Sequence, residues 1–331
     1  MGEVMLRLSP SGKERISHCE TFEKRAGGSE LNVVSGISLL GMRTAIITKL
    51  PKSEIGEFAR RKIRYHDTSD DYILYDDSPT KRLGIYYYES GAYPRLPTVV
   101  YDRAASSFTT IDPSELPSSV YSAPSIFHTS GITLALSESV KNSVISVMER
   151  FHESNTAISF DVNYRSTLWD EDTARRTVES ILPYVSILFV SEETSRRMFG
   201  MNGTLENIHG VFAQRYPNLK VIASTRRAVI SAERHSFSSF VTDCEDGEHF
   251  EECPYENIEV VDRIGSGDAY VAGALYALLR FRSIEKMALY GDAMAALKST
   301  VLGDMTECSL SDVERIISVH SDGGPKSEMI R

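Results

Sequence analysis

The stretch Val260-Val261-Asp262-Arg263-Ile264-Gly265-Ser266-Gly267-Asp268-Ala269 sets a Gly-Ser-Gly turn and a carboxylate where an apolar run gives way to small helix-forming residues. Glycine takes up backbone conformations that other residues avoid, so Gly265 and Gly267 permit a tight turn with its N–H groups facing outward. A helix N-terminus carries partial positive charge and unpaired donors, and it favours an anion there. Asp268 then places a base beside that anion-binding turn, which is what phosphoryl transfer to a hydroxyl requires. The same residues also make an ordinary helix start, in which Asp268 only caps the first turn. The run has neither the Gly-Lys-Ser/Thr of a Walker loop nor the third glycine of a dinucleotide fingerprint.

Other turns carry compatible chemistry. In Phe160-Asp161-Val162-Asn163-Tyr164-Arg165, three polar side chains follow a strand pattern. Gly27-Gly28-Ser29-Glu30-Leu31-Asn32 combines close backbone approach with an amide. Tyr101 and Arg103 are two residues apart and so share one strand face. The guanidinium fork suits a carboxylate, which it binds bidentately. Taken singly, Arg165 reads equally well as a surface ion pair and Asn32 as a helix cap. Together with the Asp268 turn they read as one pocket for a polyhydroxylated acid.

These residues need elements to position them. The pattern predicts strands over 4–8 and 15–22, a buried helix over 30–40, a strand over 44–48 and a helix over 55–65. Two aromatic, β-branched runs, 84–89 and 98–102, read as strands joined by a hairpin-like connection and standing apart from the main sheet. Beyond Ser130-Gly131, helices over 137–151, 171–182 and 205–216 alternate with strands over 157–160, 186–190 and 220–223. Such alternation predicts an α/β fold with a mostly parallel sheet and helices on both faces. Ligands of such sheets bind beyond the carboxyl ends of the strands. Helices over 268–281, 284–300 and 309–318 follow, and residues 321–325 read as a loose end.

The chain has 331 residues, 41% of them hydrophobic and 25% charged, enough for a large core. A net charge of −10 argues against a nucleic-acid or anionic-membrane partner, while a small anion needs only a few local arginines. Cys19, Cys244, Cys253 and Cys308 form no Cys-x-x-Cys pair and read as reduced structural thiols rather than zinc ligands. No apolar run reaches transmembrane length and no leader pattern opens the chain, so a soluble, cytoplasmic protein is expected.

Several segments, in order along nearly the whole chain, resemble the ribokinase-like (phosphofructokinase B) carbohydrate kinases. They are Gly2-Glu3-Val4-Met5-Leu6-Arg7, the Gly27-Gly28 turn, Thr48-Lys49-Leu50-Pro51, Arg82-Leu83-Gly84-Ile85-Tyr86, Tyr101-Asp102-Arg103-Ala104, His128-Thr129-Ser130-Gly131, the Asp161 turn with Leu168-Trp169, the Asp268 turn and Ala295-Ala296-Leu297-Lys298. Within that family the Tyr164-Arg165 pair and the Asp262-Arg263-Ile264 lead-in are most similar to 2-keto-3-deoxygluconate kinases. The resemblance implies one ribokinase-like domain over 1–331, with a lid built from strands within 5–25 and 83–105.

It also implies ATP-dependent phosphorylation of the 6-hydroxyl of 2-keto-3-deoxygluconate, with Mg2+. Asp268 would be the base, and the N–H groups of Gly265, Ser266 and Gly267 would hold the transferring phosphate. Arg165, Arg103 and Tyr101 would bind the acid end, and Tyr86, Gly28 and Asn32 the hydroxyls. The stretch Ser224-Thr225-Arg226-Arg227, Lys298 and the glycine turn would flank the nucleotide. Asp262, with the Ile264 carbonyl, resembles a monovalent-cation site for K+. Lid strands pair between subunits in this family, which implies a homodimer.

Two features depart from the family pattern. Ser191-Glu192-Glu193-Thr194 stands where an Asn-x-x-Glu element is usual, leaving Glu193 as the metal-side carboxylate, and the first strand opens at Met1-Gly2-Glu3 with fewer residues than relatives carry. A fructokinase-type enzyme and a catalytically weakened sugar-acid-binding relative are the alternative readings.

Overall fold

Strands Ile126–Ser130, Ala157–Asp161, Ile187–Phe189 and Val221–Ser231 lie side by side and parallel in a computed structural model that describes residues 1–231 and 233–321. The two in the middle, Ala157–Asp161 and Ile187–Phe189, are short and largely apolar on both faces, as strands covered by helices on two sides must be. Leu188 and Ile222 face one core with Val144 of helix Glu138–Glu153 and Phe212 of helix Leu205–Arg215. Ile187 and Phe189 face the other, with Ile37 of helix Ser29–Leu39 and Ala272 of helix Ser266–Phe281. The second core also takes helix Ile284–Ser299, whose Ala293 and Met294 are fully buried.

The expected parallel sheet holds over these four strands, and an antiparallel extension completes it. Strand Arg234–Asp243 pairs antiparallel with Val221–Ser231, and His249–Glu251 and Tyr255–Glu259 pair onto it. The strand expected to end at residue 223 runs on to Ser231 because Arg234–Asp243 supplies backbone partners along its polar half.

A separate four-stranded sheet covers one end of the main sheet. Its order is Phe22–Gly27, Met5–Pro10, Gly84–Glu89, Thr98–Asp102. The two aromatic runs are these last two strands, antiparallel, with Tyr86 opposite Tyr101. The strand expected over 15–22 lies instead at Phe22–Gly27, since its pairing sets Met5 against Gly27 and Pro10 against Phe22, and leaves 11–21 as the connection. The run expected as one strand over 44–48 is divided into Thr44–Ala45 and Thr48–Pro51, which pair with Thr68–Ser69 and Ile73–Asp76. The last helix is Leu310–Ser321, and residues 322–325 of the expected loose end lie outside the described residues. Among the described residues no helix is long and apolar enough to cross a membrane.

Candidate active site

The carboxyl ends of the parallel strands, the start of helix Ser266–Phe281 and the inner face of the four-stranded sheet enclose an open cleft of about 1410 Å³. Gly265 caps the helix at φ +82°, in the left-handed region. A Cβ there would lie 1.8 Å from the Asp304 carbonyl oxygen, so both conformation and space require glycine. The first N–H groups of a helix have no intrahelical partner, and Gly265, Ser266 and Gly267 at this helix start line the cleft. Ser266 differs in part: its N–H leans 3.4 Å toward the Arg263 carbonyl. Its hydroxyl accepts from Arg227 Nη2 at 2.7 Å.

Asp268 is more than a cap. Asn32 Nδ2 donates to its Oδ2 at 2.7 Å, and Ser29 Oγ donates to its Oδ1 at 2.7 Å. Asn163 Nδ2 donates in turn to Ser29 Oγ at 3.0 Å, which ties three chain segments to one carboxylate. Burial raises the Asp268 pKa to about 6, against the lowering effect of Asn32, Ser29 and Arg165. A carboxylate so placed is still ionised at pH 7 and is a stronger base than an exposed one. Asp161, a neighbour in the same cleft, is pushed up to about 7 by burial and by the charge of Asp268.

Asn32 is 4% exposed, and its Oδ1 is buried with no hydrogen-bond partner among the described residues. A buried acceptor left open costs free energy unless a ligand donor meets it. Gly28, at φ +145°, starts the helix that carries Asn32, and a Cβ on it would lie 2.4 Å from the Glu3 carbonyl oxygen.

The two arginines expected to bind an acid group differ in environment. Arg165 is exposed to the cleft, donates only to the Tyr164 carbonyl at 2.9 Å, and has no carboxylate partner among the described residues. Arg103 is bound through Nε and Nη2 to Glu3, which also accepts from Ser106. Tyr101 lies in the cleft wall with the Arg103 guanidinium 5.5 Å over its ring. Tyr86 is 3% exposed and its hydroxyl donates to Asp304, so that proton is already engaged.

Along the other wall of the cleft, where the nucleotide-flanking residues are expected, the long strand Val221–Ser231 alternates its residues between faces. Ser224 turns inward, fully buried against His209 Nε2 at 2.8 Å, and does not line the cleft. Arg226 lines it but is paired with Glu192 and Glu251. Arg227, the last residue of the stretch expected to flank the nucleotide, is the one that reaches the Ser266 hydroxyl. Lys298 is fully buried, and its Nζ donates to the Asp262 and Val301 carbonyls, away from the cleft.

Ser191 caps helix Glu192–Arg197, accepting from the Thr194 N–H and donating to Thr194 Oγ1 at 2.8 Å. Glu193 lies at the cleft rim, exposed, and pairs with Arg197 at 3.1 Å. Among the described residues no group of three or more His, Cys, Asp or Glu side chains could hold a metal ion. A hard cation such as Mg2+ takes one or two carboxylates at most, with most of its oxygens from phosphates and water.

The fold is that of a sugar kinase: a doubly covered α/β sheet, a separate four-stranded sheet over one end of it, and the buried Asp268 carboxylate near a helix start. Residues 1–311 match the model of the pfkB family of carbohydrate kinases, and the chain belongs to that family. It is 35% identical over 316 residues to the 2-dehydro-3-deoxygalactonokinase of Haloferax volcanii, covering 96% of this chain and 95% of that one. It superposes with a TM-score of 0.90, at 30% identity, on the 2-dehydro-3-deoxygluconokinase of Thermotoga maritima, covering 96% of each chain. A fructokinase of Xylella fastidiosa with bound ATP shares the fold at 17% identity, with a TM-score of 0.79, covering 97% of each chain.

Proposed function

We propose that the protein transfers the terminal phosphoryl group of ATP to the 6-hydroxyl of 2-keto-3-deoxygluconate, giving 2-keto-3-deoxy-6-phosphogluconate. One observation carries the reading: Asp268 is held by Asn32 and Ser29 at an anion-binding helix start, in a cleft whose Arg165 has no carboxylate partner among the described residues. Asp268 takes the hydroxyl proton as the sugar oxygen bonds to phosphorus and the bond to ADP breaks. The turn at Gly265–Gly267 and the Arg227 guanidinium offset the charge on the transferring group. Arg165 takes the substrate carboxylate, and the open Asn32 Oδ1 accepts from a sugar hydroxyl. Mg2+ supplies further neutralisation of the phosphates when bound with the nucleotide.

A second reading, the galactonate epimer as acceptor, is favoured by the 35% identity to the Haloferax volcanii relative. The deciding experiment is a coupled ADP-release assay with magnesium-ATP and both epimers, with fructose as the non-acid comparison. Turnover of the gluconate form alone supports the proposal, and turnover confined to the galactonate form moves it to the epimer. Turnover confined to fructose removes the carboxylate from the reading. A folded protein without turnover on any of them fits a sugar-acid-binding relative.

Pairing of two copies through the lid completes the proposal. Strand Thr98–Asp102 is the open edge of the four-stranded sheet, and Val100 and Tyr101 are exposed on it. A protomer mass in light scattering would contradict that pairing.

A further inference from the structure

The segment that carries the anion-binding turn is fastened from below by a buried cluster of charges. Asp262, 1% exposed, accepts from Arg7 Nη2 at 2.5 Å and from the Gly303 N–H at 3.1 Å on Oδ2, and from the Ile264 N–H at 3.0 Å on Oδ1. Arg7 also donates through Nη1 to Asp304 Oδ1 at 2.7 Å. Lys298, fully buried, donates from Nζ to the Asp262 carbonyl at 3.1 Å and the Val301 carbonyl at 3.2 Å.

A monovalent cation beneath the turn needs carbonyl and carboxylate oxygens that are still open. Here the Asp262 carboxylate already meets a guanidinium and two N–H groups, and the carbonyls of Asp262 and Val301 already meet an ammonium. Two buried cations, Arg7 and Lys298, balance two buried carboxylates, Asp262 and Asp304. A further ion would add an uncompensated charge in a dry site, which is costly. The residues do not fit K+.

We infer that the Lys298 ammonium is a cation built into the chain, clamping the Asp262–Ile264 backbone to the 301–303 loop and so holding the Gly265–Gly267 turn in its anion-binding shape. Lys298 is thus a positioning residue, acting through the turn rather than on a substrate. The inference concerns the turn alone and holds for whichever sugar is phosphorylated.

The test compares rate and thermal midpoint in choline, sodium and potassium chloride at equal ionic strength. The wild-type protein is expected to give the same values in all three, and a selective gain in K+ overturns the inference. Lys298→Ala frees the two carbonyls. It is expected to lose activity in choline and recover it in K+, with a thermal midpoint that rises as K+ is titrated. A folded Lys298→Ala protein as active in choline as the wild type overturns the inference. If that variant does not fold, Lys298→Met fills the space without the charge. Loss of kcat in all three salts with sugar KM unchanged supports the inference, and full retention of kcat overturns it. Should neither variant fold, the wild-type comparison decides alone.

Discussion

Asn32 holds Oδ2 of Asp268 at 2.7 Å and keeps its own Oδ1 open, so one amide both steadies the base and offers an acceptor to the cleft. The donated hydrogen bond favours the ionised carboxylate and opposes the effect of burial.

Asn32→Leu should therefore move the acidic limb of the kcat/KM profile to higher pH. In the wild type that limb is expected near pH 6, with activity falling as pH drops through it because the base becomes protonated. A limb that stays in place in the variant would show that another group titrates.

Asp268→Asn removes the base and keeps the shape. Turnover should fall by a factor on the order of 10²–10⁴ while the sugar still binds, as read by calorimetry. Activity close to wild type would reduce Asp268 to a helix cap.

Arg165→Gln should raise the KM for a sugar acid by roughly tenfold or more, since a charged hydrogen bond contributes about 1.5–3 kcal/mol. Arg103→Gln should instead lower the thermal midpoint more than it raises KM, because its guanidinium is bound to buried Glu3. Steady-state kinetics beside thermal melts separate the two.

Gly265→Ala introduces a side-chain carbon against the Asp304 carbonyl at a positive φ. Such strain costs about 1–3 kcal/mol, and any relief by shifting the turn is expected to lower kcat as well. Denaturant melts and single-turnover rates measure both.

Burial raises Asp161 to about 7, so the folded state binds a proton more tightly than the unfolded chain does. That group's contribution is fully present below the unfolded value near 3.8 and is lost as pH rises through about 7. Asp161→Asn should accordingly raise stability at pH 8 by roughly 1–3 kcal/mol, one pKa unit being about 1.36 kcal/mol, with no comparable gain at pH 4. Chemical denaturation at the two pH values checks the sign.

The Asp268 turn is legible in the sequence because glycines, base and helix start are contiguous, and a left-handed cap at Gly265 needs no distant partner. Gly28, Asn32 and Arg165 are legible for a similar reason, as each sits in a turn at a strand or helix end. Ser29, which bridges Asp268 and Asn163, passes as one more polar residue in a glycine turn until tertiary packing sets it there. Arg227 is legible only as one of four residues after the apparent end of a strand at residue 223, with nothing local to tell which of them face the cleft. Only the partner strand Arg234–Asp243 extends the pairing, and only then does alternation send Ser224 inward and Arg227 toward Ser266. The family resemblance puts Tyr86 and Lys298 at ligands, but Asp304 and the 262 and 301 carbonyls engage their side chains, and no local pattern encodes such long-range partners.

Arg7 belongs to the strand Met5–Pro10 of the four-stranded sheet, yet its guanidinium ends on Asp262 and Asp304, which flank the Gly265–Gly267 turn. That sheet is thus not an exchangeable module. A chimaera that grafts another kinase's lid onto this body would bring a foreign side chain to position 7 and strand two acidic groups in the interior. Transplanting specificity between relatives then means moving Arg7, Tyr86, Asp262 and Asp304 as one block.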